Sequence, residues 1–297
     1  MKRMLFFLVA WPACLAAAQT VPGGDLMRFP IGYLDRPAAL RTDLGADLGN
    51  PANVSFTDSS RARLGVAAIQ TPSDQGVSAH LISVSVALRG RLAAGLTVAR
   101  ISVDDLFRTD TDPQTFGREF SYGTTLYSAT IARRNAGGFS AGLAARYRRG
   151  ELGDERSGAL GLDAGVLAEH LPFLDASAGL ASFLWRPGGD TDDPPTVNAA
   201  FDARAFGSDE KRQVRAGLAV SIIDRHKRER FVFGSARYGI WEGRAGLNRA
   251  DAFGVQEWRG RLGFLLRFGR YVVGVAREEN GAGLAPNYQF TLNTVIR

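Results

Sequence analysis

The segment Gly138-Phe139-Ser140-Ala141-Gly142 matches the G-x-S-x-G pattern found around the nucleophile of many serine hydrolases. That chemistry needs a strand, a sharp turn at the serine and then a helix, with a histidine base nearby. Here the serine falls inside a predicted strand, and no helical pattern follows it. With 35 glycines in the chain, a chance match is easy. We therefore predict that the protein is not an enzyme.

Metal and acid–base chemistry would need clustered ligands. The three histidines, His80, His170 and His226, fall on a predicted strand, on a tight turn and on a loop at the opposite end of the predicted sheet. This separation disfavours a shared zinc site or triad. Acidic residues cluster in two predicted loops but match no calcium-binding spacing, so solvated loops are the simpler interpretation. No cofactor and no metal are predicted.

Arginines recur on one face of several predicted strands. The candidate lumen-lining residues are Arg89, Arg91, Arg146, Arg148, Arg215, Arg259, Arg261 and Arg267. A basic lumen wall would favour anions or amphiphiles with an acidic head group. Asp163, Glu169, Asp202 and Asp224 could instead pair with these arginines in a network that only holds a plug. The sequence does not decide between a lumen that favours anions and a network that holds a plug.

The stretch from Trp258 to Phe268 shows which element carries these residues. Its alternate residues form one apolar set, which includes Leu262, Phe264 and Leu266, and one set rich in arginine. A period of two predicts a β-strand. Eleven tilted residues rise on the order of 27 Å, which is close to the height of the apolar band on an outer-membrane barrel. We therefore expect the apolar set to face lipid.

The same alternation recurs along most of the chain. It predicts fourteen strands, at about 61–69, 77–88, 91–103, 123–134, 139–149, 158–169, 175–186, 196–206, 211–223, 230–240, 243–248, 257–268, 271–279 and 287–297. Longer connections alternate with tight ones, which is typical of up-and-down transmembrane barrels. The predicted fold is all-β, a transmembrane antiparallel up-and-down β-barrel of about fourteen strands over residues 61–297.

The N-terminal sixty residues differ from the rest. Met1-Lys2-Arg3 and the apolar run that follows predict a secretory signal peptide over residues 1–18. The only cysteine, Cys14, lies in this segment, so the mature chain would hold no disulfide. No later apolar run approaches a spanning helix, and no basic, aromatic-rich patch suggests nucleic acid. Residues 19–60 are irregular, with a possible short helix at 36–48, and contain Asn50-Pro51-Ala52.

These features resemble the FadL-like outer-membrane barrels, which include fatty-acid transporters and PorV-type barrels. The resemblance rests on Asn50-Pro51-Ala52 before the first strand, on the arginine-to-asparagine turn at 244–248 and on the strand around 261–264. It implies a fourteen-stranded barrel with residues 19–60 as an N-terminal hatch inside the lumen. No ligand-binding residue follows from it.

Together these observations predict a protein of the bacterial outer membrane, exported with cleavage of its signal peptide. The expected role is passive transport of small hydrophobic or amphipathic molecules. The alternative is a PorV-like structural or secretion-partner barrel that transports nothing. The expected partners are outer-membrane lipid, hydrophobic or amphipathic small molecules and, in the alternative, another envelope protein.

Overall fold

The computed structural model describes most of the chain outside the predicted signal peptide. The described residues are 21–24, 26, 30–44, 47–56, 61–72, 76–108, 118–171, 175–185, 195–209, 211–223, 227–252, 255–279 and 285–296. The predicted signal peptide, His226 and most of the acidic loop residues lie outside them. No helix among the described residues is long and apolar enough to cross a membrane.

Fourteen antiparallel strands close into one barrel in which each strand pairs with its sequence neighbours and β1 pairs with β14. The strands are β1 Ala62–Gln70, β2 Val77–Ala87, β3 Leu92–Arg108, β4 Arg118–Arg134, β5 Phe139–Leu152, β6 Glu155–Glu169, β7 Ala176–Trp185, β8 Thr196–Asp209, β9 Arg212–Ile223, β10 Lys227–Tyr238, β11 Trp241–Ala252, β12 Val255–Phe268, β13 Tyr271–Glu278 and β14 Asn287–Ile296. The predicted fold class and strand number are confirmed.

The alternation of the sequence becomes an inward and an outward face. On β12 the outward side chains of Leu262 and Phe264 are 57% and 44% exposed. A soluble protein would bury such a continuous apolar surface, whereas lipid covers it on a membrane barrel. Trp258 and Phe268 mark the two ends of this band on the same strand. Ten residues of tilted strand separate them by about 25 Å, the usual height of the lipid-facing band.

Three connections are shorter than the sequence suggested. Loops expected at 150–157, 224–229 and 249–256 contract because the flanking strands continue into them. β5 and β6 are joined at Gly153 and Asp154, where the glycine adopts a positive φ of 59°. The pair Arg149 and Glu151 lies on the extended end of β5, with atoms 3.6 Å apart. The polar residues of this region predict a loop, whereas the structure continues the strand through them.

The chain ends of the barrel lie beside the tight connections, here called the short-turn end. The opposite, long-loop end carries the short connections between β5 and β6, β9 and β10, and β11 and β12, and the longer ones between β1 and β2, β3 and β4, β7 and β8, and β13 and β14. Both the start of β1 and the end of β14 lie at the short-turn end, since Ala62 pairs with Ile296. This is the arrangement expected for an even number of strands.

The described part of residues 21–56, which we call the hatch, packs inside the barrel. It contains turns, bends and a 3₁₀ turn at Pro51–Val54, and the described residues of 36–48 form no helix. Its apolar side chains are almost completely buried against the wall; they include Ile31, Leu34, Leu40, Leu44, Leu48 and Val54. The core of the molecule is therefore the interface between the hatch and the inner face of the barrel.

Candidate functional site

The Asn50-Pro51-Ala52 motif makes a close contact between hatch and wall. The side-chain amide of Asn50 donates to the Ala39 carbonyl at 2.7 Å and to the Val166 carbonyl of β6 at 3.0 Å. Its oxygen accepts from the backbone N–H of Ala52 at 3.0 Å, which caps the 3₁₀ turn. One buried side chain thus holds two hatch segments and one wall strand together.

Wall glycines make this approach possible. A Cβ at Gly165 would overlap the amide oxygen of Asn50, and one at Gly142 would overlap the backbone of Pro51. Neither glycine has a positive φ, so backbone freedom is not the reason for their presence. Space for the hatch is the physical requirement at both positions.

Arg41 anchors the hatch at the short-turn end. Its guanidinium forms a bidentate pair with Glu169 at 2.6 and 3.2 Å, and it donates to the carbonyls of Asn53 and Ser55 at 3.1 and 2.8 Å. Arg134 donates to the same glutamate at 2.6 Å. A half-buried network of this kind, with its donors and acceptors matched, fixes geometry more than it adds net stability.

A second ionic cluster joins the hatch to β11 and β12. Asp43 pairs with Arg244 and with Arg267, the latter at 2.5 Å, while Asp35 lies 3.2 Å from Arg244. Glu242 accepts from both arginines at 2.7 and 2.8 Å. Burial would raise the pKa of Asp43, but attraction to Arg244, Arg267 and Arg36 outweighs it and holds that pKa well below its usual range. The Asp43 carboxylate is therefore charged while the hatch is docked.

Two more arginines of the wall bind the hatch backbone. Arg148 donates to the carbonyls of Val21 and Pro22 at 3.3 and 2.9 Å. Arg146 donates to the carbonyls of Asp47 and Leu48 at 2.9 and 3.2 Å and also pairs with Asp163. These contacts satisfy carbonyls that an irregular segment leaves without helix or sheet partners.

A cavity of about 580 Å³ remains between the hatch and the wall. Its lining reaches the long-loop end, since Ile223 and Thr196 are the terminal residues of their strands. Aromatic rings and small apolar side chains alternate with a few polar groups along it. The main contributors are Tyr33, Arg36, Tyr122, Arg146, Phe183, Asn198, Ala219, Phe231, Asn248 and Arg261. This volume and mixture of groups suit a small hydrophobic or amphipathic ligand.

The eight predicted lumen arginines fall into three groups. Arg146 and Arg148 bind the hatch backbone, and Arg267 binds its Asp43, as described. Arg215, Arg259 and Arg261 lie on the inward faces of β9 and β12; Arg215 binds Asp202 with two bonds of 2.9 Å, and Arg261 binds Glu278 at 2.6 Å.

Arg89 and Arg91 lie elsewhere. They flank Gly90 in the exposed connection from β2 to β3, where Gly90 and Arg91 both adopt a positive φ, 72° and 63°. The chain reverses direction there, so alternation does not continue through these residues. Neither arginine lines the lumen in this structure.

The structure does not bring Ser140 of the apparent hydrolase pattern together with His80 or His170. Ser140 is fully buried on the inward face of β5 and accepts a hydrogen bond from the Ser55 hydroxyl of the hatch at 2.9 Å. His80 is exposed on the outward face of β2, and His170 is exposed in a turn with a φ of 58°. Ser140 therefore serves as a contact between hatch and wall.

Among the residues that line the cavity, sequence reasoning identified Arg146 and Arg261 but missed several others. Tyr33 and Arg36 lie in the irregular N-terminal segment, where no periodicity shows which way a side chain points. Phe231 lies inward on β10, where its ring stacks on Phe233 with centroids 5.4 Å apart. Strand alternation could have identified this pair as inward-facing aromatics, since Val232 between them points outward.

The fold is similar to that of two solved channels. The toluene transporter TodX of Pseudomonas putida superposes with a TM-score of 0.59 at 11% sequence identity, over 94% of this chain and 96% of TodX. The CymD monoaromatic hydrocarbon channel superposes with a TM-score of 0.55 at 12% identity, over 94% of this chain and 97% of CymD. No family model matches the sequence, and no curated protein matches it. At these identities the likeness shows a shared barrel fold with similar overall extent.

Proposed function

We propose that this protein is a FadL-like channel of the bacterial outer membrane that passes small hydrophobic or amphipathic molecules by diffusion. The observation that carries the proposal is the cavity of about 580 Å³ between the hatch and the wall. It combines aromatic surface with a few polar groups, and it reaches the long-loop end of a barrel whose outside is apolar. The similarity in fold to TodX and CymD, a toluene transporter and a hydrocarbon channel, supports it.

In this mechanism a molecule enters the cavity from the long-loop end and leaves after the hatch moves. The hatch blocks the short-turn end through Arg41, Asn50 and Ser55, each bonded to the wall. These contacts join the hatch to single wall strands and none of them pairs one wall strand with another, so they can open without unfolding the barrel. Transport needs no cofactor, because movement down a concentration gradient supplies the driving force.

A reversible crosslink tests whether the hatch must move. Ser55 of the hatch and Ser140 of β5 have their hydroxyl oxygens 2.9 Å apart, so cysteines at both positions are placed to form a disulfide. We expect cells that produce the oxidised double variant to lose protein-dependent uptake of toluene across the lipopolysaccharide leaflet of the outer membrane, and reduction to restore it. The predicted mature chain has no native cysteine, so the engineered pair reacts alone.

A matched pair within the wall provides the control. Ser78 of β2 and Ser102 of β3 face each other across the sheet with their hydroxyl oxygens 3.1 Å apart. A disulfide there joins two strands that already pair, so oxidation should leave uptake unchanged. Absence of toluene uptake that depends on the wild-type protein, together with stable co-purification of another envelope protein, would support the structural-partner alternative instead.

A further inference from the structure

The lining of the cavity contains three arginines, Arg36, Arg146 and Arg261, and one acidic residue, Glu229. Two of the arginines are already neutralised at short range. Arg146 pairs with Asp163, and Arg261 with Glu278 at 2.6 Å. These two arginines already pair with carboxylates of the wall, so they are poor binding partners for a ligand.

Arg36 differs from both. Its guanidinium makes no hydrogen bond within the described part of the chain. Its one ion pair there is with Asp202, at 3.7 Å, a distance beyond hydrogen bonding. Asp202 itself is held by Arg215 through two bonds of 2.9 Å. The side chain of Arg36 keeps 23% of its surface exposed, and it lines the cavity.

The charge on Arg36 is also poorly compensated. Burial, followed by repulsion from Arg244, lowers the pKa of Arg36 despite the opposing attraction of Asp202 and Asp43. An arginine nonetheless stays protonated at neutral pH. A cation that lines a cavity and makes no hydrogen bond to the described part of the chain is stabilised when an anion enters.

The rest of the lining would hold an apolar body next to that cation. Tyr33 belongs to the same hatch turn as Arg36, since the Arg36 backbone N–H donates to the Tyr33 carbonyl at 3.2 Å. Phe183 and Phe231 lie on the wall side of the cavity. The Phe183 ring is itself covered by the Arg146 guanidinium, 4.2 Å from its centroid, which fixes its position.

We propose that the cavity binds compact aromatic or alicyclic carboxylates, with Arg36 of the hatch as the residue that binds the carboxylate. This inference rests on the proposed function and narrows its substrate class. Because the cation belongs to the hatch, a bound anion contacts the element that has to move. A ligand of this class would also compete with Asp202 for Arg36.

The test uses two probes that share one apolar body, 4-phenylbutyrate and the neutral 4-phenylbutanol. Binding to the full-length protein in lipid nanodiscs is measured by titration calorimetry, with empty nanodiscs subtracted to remove partitioning into lipid. We expect the wild-type protein to bind the acid about ten-fold more tightly than the alcohol, or more, because hydrogen bonds to charged groups contribute that much. Arg36→Gln should abolish the preference without weakening the binding of the alcohol, and Arg36→Lys should keep part of it.

Arg277→Gln is the matched control. Arg277 is 44% exposed and pairs with Glu279 at 2.7 Å, outside the cavity lining. Its loss removes the same formal charge and should leave both affinities unchanged. If Arg277→Gln lost the preference for the acid as fully as Arg36→Gln, the net charge of the protein would be what attracts the acid. That result would overturn the role given to Arg36.

The two proposals fail in different ways. If the wild-type protein binds the alcohol but shows no preference for the acid, the carboxylate inference is wrong and the proposed channel function stands. A preference for the acid that survives in Arg36→Gln also overturns the inference. If the wild-type protein binds neither probe, the proposed channel function itself is contradicted.

Discussion

The amide oxygen of Asn50 in the hatch occupies the space where any residue other than glycine at position 165 would place its Cβ. The same asparagine donates to the carbonyl of Val166, the next residue of β6. The contact between hatch and wall therefore depends on two residues that are more than one hundred positions apart in the sequence. The docked position of the hatch is set by this local fit and by the ionic clusters around it.

We expect Gly165→Ala to loosen the hatch. The added methyl group must push Asn50 away, and overpacking of this kind typically costs about 1–3 kcal/mol. Proteolysis of the N-terminal segment should become faster while the barrel itself stays resistant. Gly243→Ala is the matched control, because a Cβ there meets nothing within 4 Å. Equal protease resistance of the two variants would contradict the close fit.

Docking of the hatch should weaken at acid pH through Asp43. The pKa of Asp43 is lowered in the docked state, since Arg244 and Arg267 outweigh the effect of burial. A carboxylate with a lowered pKa stabilises docking fully above the pKa of the undocked state, about 3.9, and this stabilisation is lost as the pH falls. Each unit below that value should remove about 1.4 kcal/mol.

Hydrogen exchange of the hatch amides between pH 5 and pH 2.5, corrected for intrinsic rates, measures this loss. Asp43→Asn should show weaker protection at pH 5 and a shallower dependence on pH, because its side chain does not titrate. Asp154→Asn, in the exposed turn between β5 and β6, should behave as the wild type. An unchanged slope in Asp43→Asn would show that other groups control the acid response.

Much of the barrel could be predicted from the sequence, because a wall strand repeats one simple rule. Leu262 and Phe264 face out and Arg261 and Leu265 face in, as their alternation requires. Strand ends are less predictable, since Glu151 lies in a predicted loop yet belongs to β5, where it pairs with Arg149. The alternation does not continue through turns. For this reason the sequence predicts Arg89 and Arg91 in the lumen, whereas the structure has them in an exposed turn.

The candidate site could not be predicted in the same way. The hatch follows no period, and its path depends on contacts with distant wall residues, such as Asn50 with Gly165 and Asp43 with Arg244. The motif Asn50-Pro51-Ala52 identified where a special contact lies but not what it contacts. Arg36 had no distinguishing pattern, and only the three-dimensional placement beside the cavity identifies it.

The outward face of β12 should respond to charge according to depth in the bilayer. Leu262→Arg places a cation near the middle of the apolar band and should cost about 2–4 kcal/mol, whereas a position near the interface costs about 0–1 kcal/mol. Leu88→Arg is the interface control, since Leu88 is exposed in the connection after β2. Urea titration of folding into phospholipid vesicles measures both. Similar costs at the two sites would contradict the assigned orientation in the membrane.

Filling the cavity should block passage without disturbing the barrel. Ala219 faces inward on β9 and lines the cavity, so Ala219→Trp would occupy much of the space beside Phe231. On the same strand Ala216 is exposed on the outward face, where lipid accommodates a large aromatic ring. We expect Ala219→Trp to reduce protein-dependent toluene uptake by cells several-fold and Ala216→Trp to leave it unchanged. Because the two variants carry the same substitution three residues apart, a difference between them reports the face of the strand rather than the added side chain. Uptake that persists in Ala219→Trp would place the route of passage outside this cavity.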